Sequence, residues 1–229
     1  MDLFAHIEIT PNTVHRQEYF SVDNLLQIEP TRIERDLLGE KQIPLHSYYG
    51  IHTLRAIENF KISGLAVGQQ PHFIRALAQV KKASAQANLH FKKLPEQTSL
   101  VIQKACDELI QHPEAWQSAF PLDPYQGGAG TSINMNANEV IANIALEMSG
   151  HQKGDYHILH PNDHVNTSQS TNDVYPTALR LATYSSLDEL LNVLNALIEC
   201  IGQKAAEFKY VIKMGRTQLQ DAVPMTMEQ

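Results

Sequence analysis

Residues 174–208, VYPTALRLATYSSLDELLNVLNALIECIGQKAAEF, determine the fold class of this chain. Apolar residues recur through the stretch at helical spacing, and no proline follows Pro176. The recurring apolar positions are Val174, Ala178, Leu181, Leu187, Leu191, Leu194, Ile198, Ile201, Ala205 and Phe208. The pattern predicts one helix of roughly 50 Å, because each helical residue adds 1.5 Å. We expect it to begin near Asn172 or Asp173, since Pro176 is best tolerated in a first helical turn.

A helix of this length needs other long helices to cover its apolar stripe. The sequence predicts no second helix as long, so the covering helices are expected from other copies of the chain or from sequence outside these 229 residues. The predicted fold is therefore mainly α. It consists of a helical N-terminal domain with a small β-hairpin, followed by the first long helix of a central helical bundle.

The composition of the chain argues against a nucleic-acid-binding protein and against a membrane protein. The chain has 43% hydrophobic residues, a formal charge of −7 and no dense run of Lys or Arg, which argues against a nucleic-acid partner. The opening MDLFAHIEIT has no signal-peptide pattern, and polar residues interrupt the apolar stretches, so we expect a soluble, cytoplasmic protein without membrane contact. Cys106 and Cys200 belong to no paired motif and are predicted to be two buried thiols.

The rest of the chain divides into recognisable segments. Residues 1–30 are expected to be an extension of uncertain order, residues 31–167 an N-terminal domain, and residues 168–229 the start of the bundle. Within residues 31–49 the pattern around Gly39 predicts a small β-hairpin with Pro44 at an edge position. Pro71 begins a predicted helix that reaches about Phe91, and residues 98–111 form another.

Three polar stretches could carry chemistry. In the first, YQGGAGTSINMNANEVIANIALEMSG (residues 125–150), a glycine-rich loop leads into a helix at Thr131. Such a loop can present backbone N–H groups to an anion, but taken alone a turn with a helix cap is the better interpretation. It is not a P-loop, because no lysine precedes Thr131.

The second stretch, HPNDHVNTSQSTNDVYPT (residues 160–177), collects hydrogen-bonding side chains before the long helix. They are Ser168, Ser170, Thr171 and Asn172. The cluster is either a carboxylate-binding site at the positive end of a helix dipole or a helix cap with more hydroxyls than it needs. A metal site built from His157, His160 and His164 with Asp155 and Asp163 is disfavoured, because Pro161 interrupts helical pairing and no known ligand spacing is matched. The third stretch, Gly215-Arg216-Thr217-Gln218, is predicted to be a loop between helices.

Together the three stretches resemble the aspartase/fumarase superfamily. GGAGTSINMNANEV is similar to its first substrate-binding segment, SQSTNDVYPT to its second, and KMGRTQLQDAVP to a segment with a further substrate contact. RIERDLLGEKQIPLHSYYGIHTLRAIENF resembles the N-terminal region of aspartate ammonia-lyases in particular. The resemblance implies a fumarase/aspartase-like fold and reversible anti elimination of ammonia from L-aspartate, giving fumarate through an enediolate-like intermediate.

The resemblance also implies site residues. Those that match substrate-contacting positions are Thr131, Ser170, Thr171, Asn172, Thr217 and Gln218. Arg55 matches an arginine associated with the substrate carboxylate. Lys81 is a weaker candidate, since a lysine on a helix surface is usually solvated. Gln218 favours an aspartase over a fumarase, because its amide cannot titrate and an ammonium group leaves already protonated.

The family's serine base lies on a flexible loop of the form GSSxMPxKxN, and no such segment occurs in residues 1–229. We therefore expect the base downstream of Gln229, little activity from this chain alone, and, as in the family, a homotetramer. No cofactor or metal ligand set is expected, although a divalent ion activates some aspartases. Two alternatives stay open: a fumarate hydratase, and a non-catalytic fragment that binds dicarboxylates.

Overall fold

The computed structural model of the chain describes residues 29–229. The expected N-terminal extension, residues 1–30, therefore lies outside the described residues except for Glu29 and Pro30. Residues 31–229 form one compact unit, and the division at residue 168 stays a prediction. The elements, in order, are β1 (Thr31–Asp36), β2 (Gly39–Pro44), α1 (Ile51–Asn59), α2 (Pro71–His90), α3 (Glu96–Gln111), α4 (Thr131–Met148), α5 (Thr171–Glu207), β3 (Ile212–Thr217) and β4 (Gln220–Thr226). This order confirms the predicted mainly α fold.

The first hairpin and helices α2 and α3 agree with the sequence patterns. Strands β1 and β2 pair antiparallel from Thr31 opposite Pro44 to Asp36 opposite Gly39. Gly39 has a φ of +112°, a conformation that glycine adopts without steric cost. Pro71 is the first residue of α2, where its missing N–H leaves no helical hydrogen bond unmade. Helices α1 and α3 pack against α4, the next helix of the chain.

Helix α4 is the centre of the core, because most of its residues are buried on all sides. It packs against α1, α3 and the start of α5. The buried apolar residues around it include Ile74, Leu77, Ile102, Leu109, Phe120, Ile133, Val140, Ile141 and Leu146. Five polar residues of the same helix are also buried: Asn134, Asn136, Asn138, Glu139 and Asn143. Polar groups this deep require hydrogen-bond partners, so α4 fixes the segments that supply them.

Helix α5 has 37 residues, which corresponds to about 55 Å. It begins at Thr171, so Pro176 is the sixth helical residue and the expectation that it lies in the first turn was wrong. Proline has no N–H to donate, and the carbonyl of Asn172, four residues earlier, therefore lacks its helical partner. Val174, Ala178 and Ala182 are buried against the rest of the unit.

The distal part of α5 carries an exposed apolar stripe, which we define as Leu187, Leu191, Leu194, Ile198 and Ile201. These residues are 42–59% exposed and follow steps of four and three, the spacing of a helix-pairing seam. Cys200 lies in the same part of α5 and is exposed, so the prediction of two buried thiols was wrong for Cys200 and correct for Cys106. Residues 29–229 include no helix whose length and apolarity would let it cross a lipid bilayer.

The third polar stretch is a second hairpin and not the predicted loop between helices. Strands β3 and β4 pair antiparallel, with an irregularity in register at Gly215. Gln218 and Leu219, at the turn, have φ values of +49° and +61°. Positive φ at both turn positions matches the twist of the flanking strands, which is why a two-residue connection can close this hairpin.

The N-terminus of α1 is held by two buried carboxylates. Glu139 of α4 accepts hydrogen bonds from the backbone N–H groups of Gly50, His52 and Thr53 and from the Thr53 hydroxyl, at 2.6–3.1 Å. Glu34 of β1 accepts one from the N–H of Ile51 at 2.8 Å. Burial raises the pKa of Glu34, an effect that the nearby Arg32 partly offsets. The contacts join β1, α1 and α4 at one point.

Gly50 is required at this point because a larger residue has no space. A Cβ atom at Gly50 would lie 2.5 Å from the Tyr156 hydroxyl, 2.6 Å from Glu34 and 2.9 Å from Glu139. We expect Gly50→Ala to lower the free energy of unfolding by about 1–3 kcal/mol through overpacking, as measured by urea denaturation followed by circular dichroism.

Gly127→Ala is the matched control. A Cβ atom there would meet only the Phe60 ring at an ordinary 3.6 Å, so little change in stability is expected. Equal stability of Gly50→Ala and the unsubstituted protein would contradict the close packing at the start of α1.

Candidate active site

The glycine-rich loop determines the backbone conformation at the N-terminus of α4. Gly128 and Gly130 have φ values of +74° and +79°, and a Cβ atom at Gly130 would lie 2.4 Å from the Tyr175 ring. Conformation and packing therefore both require glycine at residue 130. No side chain caps the first turn of α4, so the N–H groups near Thr131 have no side-chain acceptor. The loop forms the turn that its sequence predicts and also leaves donors available for an anion.

The N-terminus of α5 lies beside that of α4. Ser170 caps α5 by accepting a hydrogen bond from the N–H of Asn172 at 3.2 Å. Thr171 accepts one from Asn134 of α4 at 3.1 Å, which ties the two helix ends together. Asn172 is exposed and lines a cavity of about 240 Å³ together with Gly128 and Gly130. The first and second polar stretches are thus adjacent, with the positive ends of both helix dipoles close together.

Arg55 and Thr131 line a larger cavity of about 910 Å³. Arg55, on α1, already has a carboxylate partner: it donates to both oxygens of Asp36 at 2.7 and 2.8 Å, and to the Gly39 carbonyl at 3.1 Å. This hydrogen bonding holds the pKa of Asp36 below its usual range and raises that of Arg55. An incoming substrate carboxylate would compete with Asp36 for the guanidinium.

Thr217 and Gln218 do not join this group within one chain. They lie at the tip of the β3–β4 hairpin, after the full length of α5, and both are exposed. Met227 and Phe208 line a shared cavity with Cys200, which places the base of the hairpin against the far end of α5. The structure therefore brings together Thr131, Ser170, Thr171 and Asn172 and places Arg55 at the neighbouring cavity. Thr217 and Gln218 lie on a hairpin that follows the opposite end of α5, a helix about 55 Å long.

The histidines of the second stretch make backbone contacts. Nδ1 of His160 accepts hydrogen bonds from the N–H groups of Asn162 and Asp163, at 3.2 and 3.1 Å. Nδ1 of His164 accepts one from the N–H of His160 at 2.8 Å. These contacts stabilise a short π-helical turn, Pro161–Val165. Within residues 29–229 no three His, Cys, Asp or Glu side chains are grouped so that they could hold a metal ion.

The environment of Lys81 differs from the one that the sequence predicts. A solvated lysine on a helix surface is expected, but the exposed fraction of Lys81 is 0%. Its Nζ donates to Asn166 and Gln169, both at 2.9 Å, and so contacts the segment that precedes α5. A signal was present in the sequence: Lys81 stands four residues from both Leu77 and Ala85, on the apolar face of α2.

Comparison with known proteins identifies the family of the chain. A sequence profile described as "Lyase" matches residues 39–229. The chain is similar to the aspartate ammonia-lyase of Escherichia coli K12, with 56% identity over 198 residues, covering 86% of this chain and 41% of that protein. It is also 56% identical over 196 residues to the aspartate ammonia-lyase of Corynebacterium glutamicum, covering 86% of this chain and 37% of that one.

Solved structures show the same fold. A protein from Brucella melitensis, described as "fumarate lyase:delta crystallin", is 54% identical with a TM-score of 0.81, over 87% of this chain and 46% of that one. A class II fumarase from Schistosoma mansoni is 36% identical with a TM-score of 0.74, over 87% and 41%. The chain spans about two fifths of the length of the curated relatives named above. Because the profile covers most of the chain and the relatives share its sequence and fold, the chain belongs to the lyase family, as its resemblance to the aspartase/fumarase superfamily predicted.

Proposed function

We propose that the protein to which this chain belongs is an aspartate ammonia-lyase, which converts L-aspartate reversibly to fumarate and ammonia. The observation that carries the proposal is the 56% identity to curated aspartate ammonia-lyases over 86% of the chain. Identity to the class II fumarase is lower, at 36%. The N-terminal ends of α4 and α5 support it, since they place hydroxyl, amide and backbone N–H donors side by side.

Elimination of ammonia from aspartate requires hydrogen-bond donors around the substrate carboxylate. Removing the Cβ proton of aspartate next to a carboxylate builds a second negative charge on an enediolate-like intermediate, and the C–N bond then breaks to release ammonia. Donors fixed in place around that carboxylate stabilise the charge, and losing one such donor costs about 3 kcal/mol in other enzymes. We assign this task to Thr131, Ser170, Thr171 and Asn172, with Thr217 and Gln218 completing the set. No residue of this chain is assigned as the base.

The distance between the two parts of the site supports a homo-oligomer, a tetramer by analogy with the family. Thr217 and Gln218 can reach the helix ends of a second copy while they are far from those of their own chain. The exposed apolar stripe of α5 offers the surface on which copies would pair.

A cytoplasmic location and a reaction without an organic cofactor complete the proposal. Comparing activity with EDTA and with added Mg²⁺ decides whether a divalent ion activates the enzyme.

The assay that tests the activity uses the full-length gene product with L-aspartate and L-malate in parallel, following fumarate by its ultraviolet absorbance. We expect fumarate to form from aspartate with a kcat/KM at least about 100-fold above that for malate, because Gln218 offers no titratable group to assist the loss of water. Faster turnover of malate would make the protein a fumarate hydratase. Binding of fumarate without any turnover would make it a dicarboxylate-binding protein.

Gln218→Ala tests the role of the β3–β4 turn. Removing the amide should lower kcat/KM for aspartate by about 10- to 100-fold, because one hydrogen bond to the substrate is lost while the turn is kept. Leu219→Ala is the matched control: it alters the next residue of the same turn, which also has positive φ and is fully exposed. Unchanged kinetics in Gln218→Ala, or an equal loss in both variants, would contradict the assignment.

The stripe on α5 gives a separate prediction about assembly. Replacing Leu194 and Ile198 together by Asp should reduce the sedimentation coefficient of the full-length gene product, because burying two carboxylates between helices costs several kcal/mol each. Asn192→Asp adds a charge to the same exposed region off the stripe and should leave sedimentation unchanged. An unsubstituted protein that sediments as a monomer would contradict the proposed oligomer, as would a double variant that sediments like the unsubstituted protein.

A further inference from the structure

Lys81 is a cation buried without a counter-ion. It lies in the middle of α2 with no exposed surface, whereas lysine is almost never fully buried unless it is paired. Its two hydrogen-bond acceptors are the neutral amide oxygens of Asn166 and Gln169. None of the ion pairs among residues 29–229 includes Lys81. Burying such a charge is costly, so its position calls for an explanation.

Both acceptors belong to one segment, residues 166–172, which ends with the first two residues of α5. The Asn166 oxygen that Lys81 contacts also accepts a hydrogen bond from Asn134 at 3.1 Å, and Asn134 donates at the same distance to Thr171. Gln169 uses its amide nitrogen to bond the carbonyls of Val165 and Thr167, at 2.8 and 3.2 Å. A continuous set of hydrogen bonds therefore runs from the ammonium of Lys81 to the hydroxyl of Thr171.

The backbone of this segment needs such support. Ser168 has a φ of +60°, a left-handed conformation that is unfavourable for a non-glycine residue. Lys81 contacts the residues two before and one after Ser168, on either side of the unfavourable conformation. Charge-assisted hydrogen bonds are about twice as strong as neutral ones, so an ammonium holds these amides better than a neutral donor would.

We propose that Lys81 is a positioning residue, which fixes segment 166–172 through Asn166 and Gln169 so that Ser170, Thr171 and Asn172 present their polar groups to a substrate carboxylate. The proposal rests on the function proposed above, since it takes a dicarboxylate as the ligand. The charge of Lys81 also makes this end of α5 more positive. A bound dianion would supply the negative charge that the buried ammonium lacks, without touching it.

The electrostatic surroundings of Lys81 predict a pH dependence. Burial lowers the pKa of Lys81 to about 7, and the buried thiol of Cys106 on α3 acts on it in the opposite direction. Burial raises the pKa of Cys106 to about 12, so the thiol is neutral over the useful range of pH. The groups that hydrogen-bond in this network from the segment, from α4 and from the start of α5 are uncharged: Asn166, Gln169, Asn134 and Thr171. The acidic residue of the first turn of α5, Asp173, is exposed.

The protonation state of Lys81 determines how the affinity for a dianion changes with pH. Lys81 is protonated below its pKa and neutral above it, and a bound anion favours the protonated form. By linkage, affinity for the dianion is highest below the pKa of Lys81 and falls as the pH rises through it. Fumarate is a useful probe because both of its carboxylates are ionised throughout this range.

The experiment compares Lys81→Met with Lys82→Met in the full-length gene product. The dissociation constant of fumarate is measured by titration calorimetry and KM and kcat by aspartate turnover, between about pH 6 and about pH 8.5, with the melting temperature of each variant. Methionine fills the space of the lysine stem without its charge. Lys82 adjoins Lys81 on α2 but is partly exposed and paired with Asp107.

We expect Lys81→Met to raise KM for aspartate and the fumarate dissociation constant about 10-fold below pH 7, to change kcat less, and to abolish the pH dependence that Lys81 confers. Its melting temperature should change little, because removing the cost of burying a charge offsets the loss of the two hydrogen bonds to Asn166 and Gln169. Lys82→Met should match the unsubstituted protein in affinity and pH profile. A merely structural lysine would show the reverse: a lower melting temperature with an unchanged pH profile.

Gln169→Met keeps the test decisive if Lys81→Met fails to fold. It removes one acceptor of the ammonium and should raise KM in the same direction by a smaller factor. Unchanged KM and an unchanged pH profile in both Lys81→Met and Gln169→Met, or in the one that folds, would overturn the positioning role. If the unsubstituted protein neither turns over aspartate nor binds fumarate, the proposed function fails first, and the positioning role fails with it.

Discussion

The burial of α4 on all sides is the constraint on which the rest of the structure depends. Polar side chains on a helix in this position are stabilised by hydrogen-bond partners in the layer around it, although the side-chain oxygens of Asn134, Asn136 and Asn138 have none among the described residues. Glu139 finds such partners at the start of α1, Asn143 in the Tyr48 carbonyl and the N–H of Gly154, and the amide nitrogen of Asn134 in Asn166 and Thr171. The segments that surround α4 are therefore held by hydrogen bonds from the core, and each is fixed relative to the others.

The candidate site follows from this arrangement. The N-terminus of α4 emerges from the core next to the N-terminus of α5, with the glycine loop closing over one side and α1 carrying Arg55 on another. Partly buried hydrogen bonds from Asn134 and Lys81 anchor the segment that carries Ser170, Thr171 and Asn172, which limits the reorganisation needed when an anion binds. That property is what stabilisation of a transient carboxylate charge requires. The contribution of Lys81 is of the same kind, since it acts from the core on the segment that carries the donors.

Much of the fold was predictable from local patterns. Periodicity predicted α2, α3 and α5, and the turn chemistry around Gly39 predicted the first hairpin, because these signals depend on residues that are close in sequence. Long-range contacts gave no such signal. Gln218 and Leu219 lack the usual Asn-Gly turn sequence, which concealed the second hairpin. Cys200 was expected to be buried because it belongs to no paired motif, but the face of α5 that carries it is exposed. The environment of Lys81 depends on amides about 85 residues away, although its place on the apolar face of α2 was visible. The roles of the candidate site residues themselves stay predictions, since their chemistry depends on a ligand.

The most direct measurement is a crystal structure of the full-length gene product with fumarate bound. The geometry described here predicts that a fumarate carboxylate lies within about 3 Å of polar groups of Thr131, Ser170, Thr171 or Asn172, at the shared N-terminal ends of α4 and α5. It also predicts that Lys81 still donates to Asn166 and Gln169 and that Thr217 and Gln218 approach the ligand from another copy of the chain. Fumarate bound elsewhere, with segment 166–172 free of Lys81, would contradict the assignment of this site.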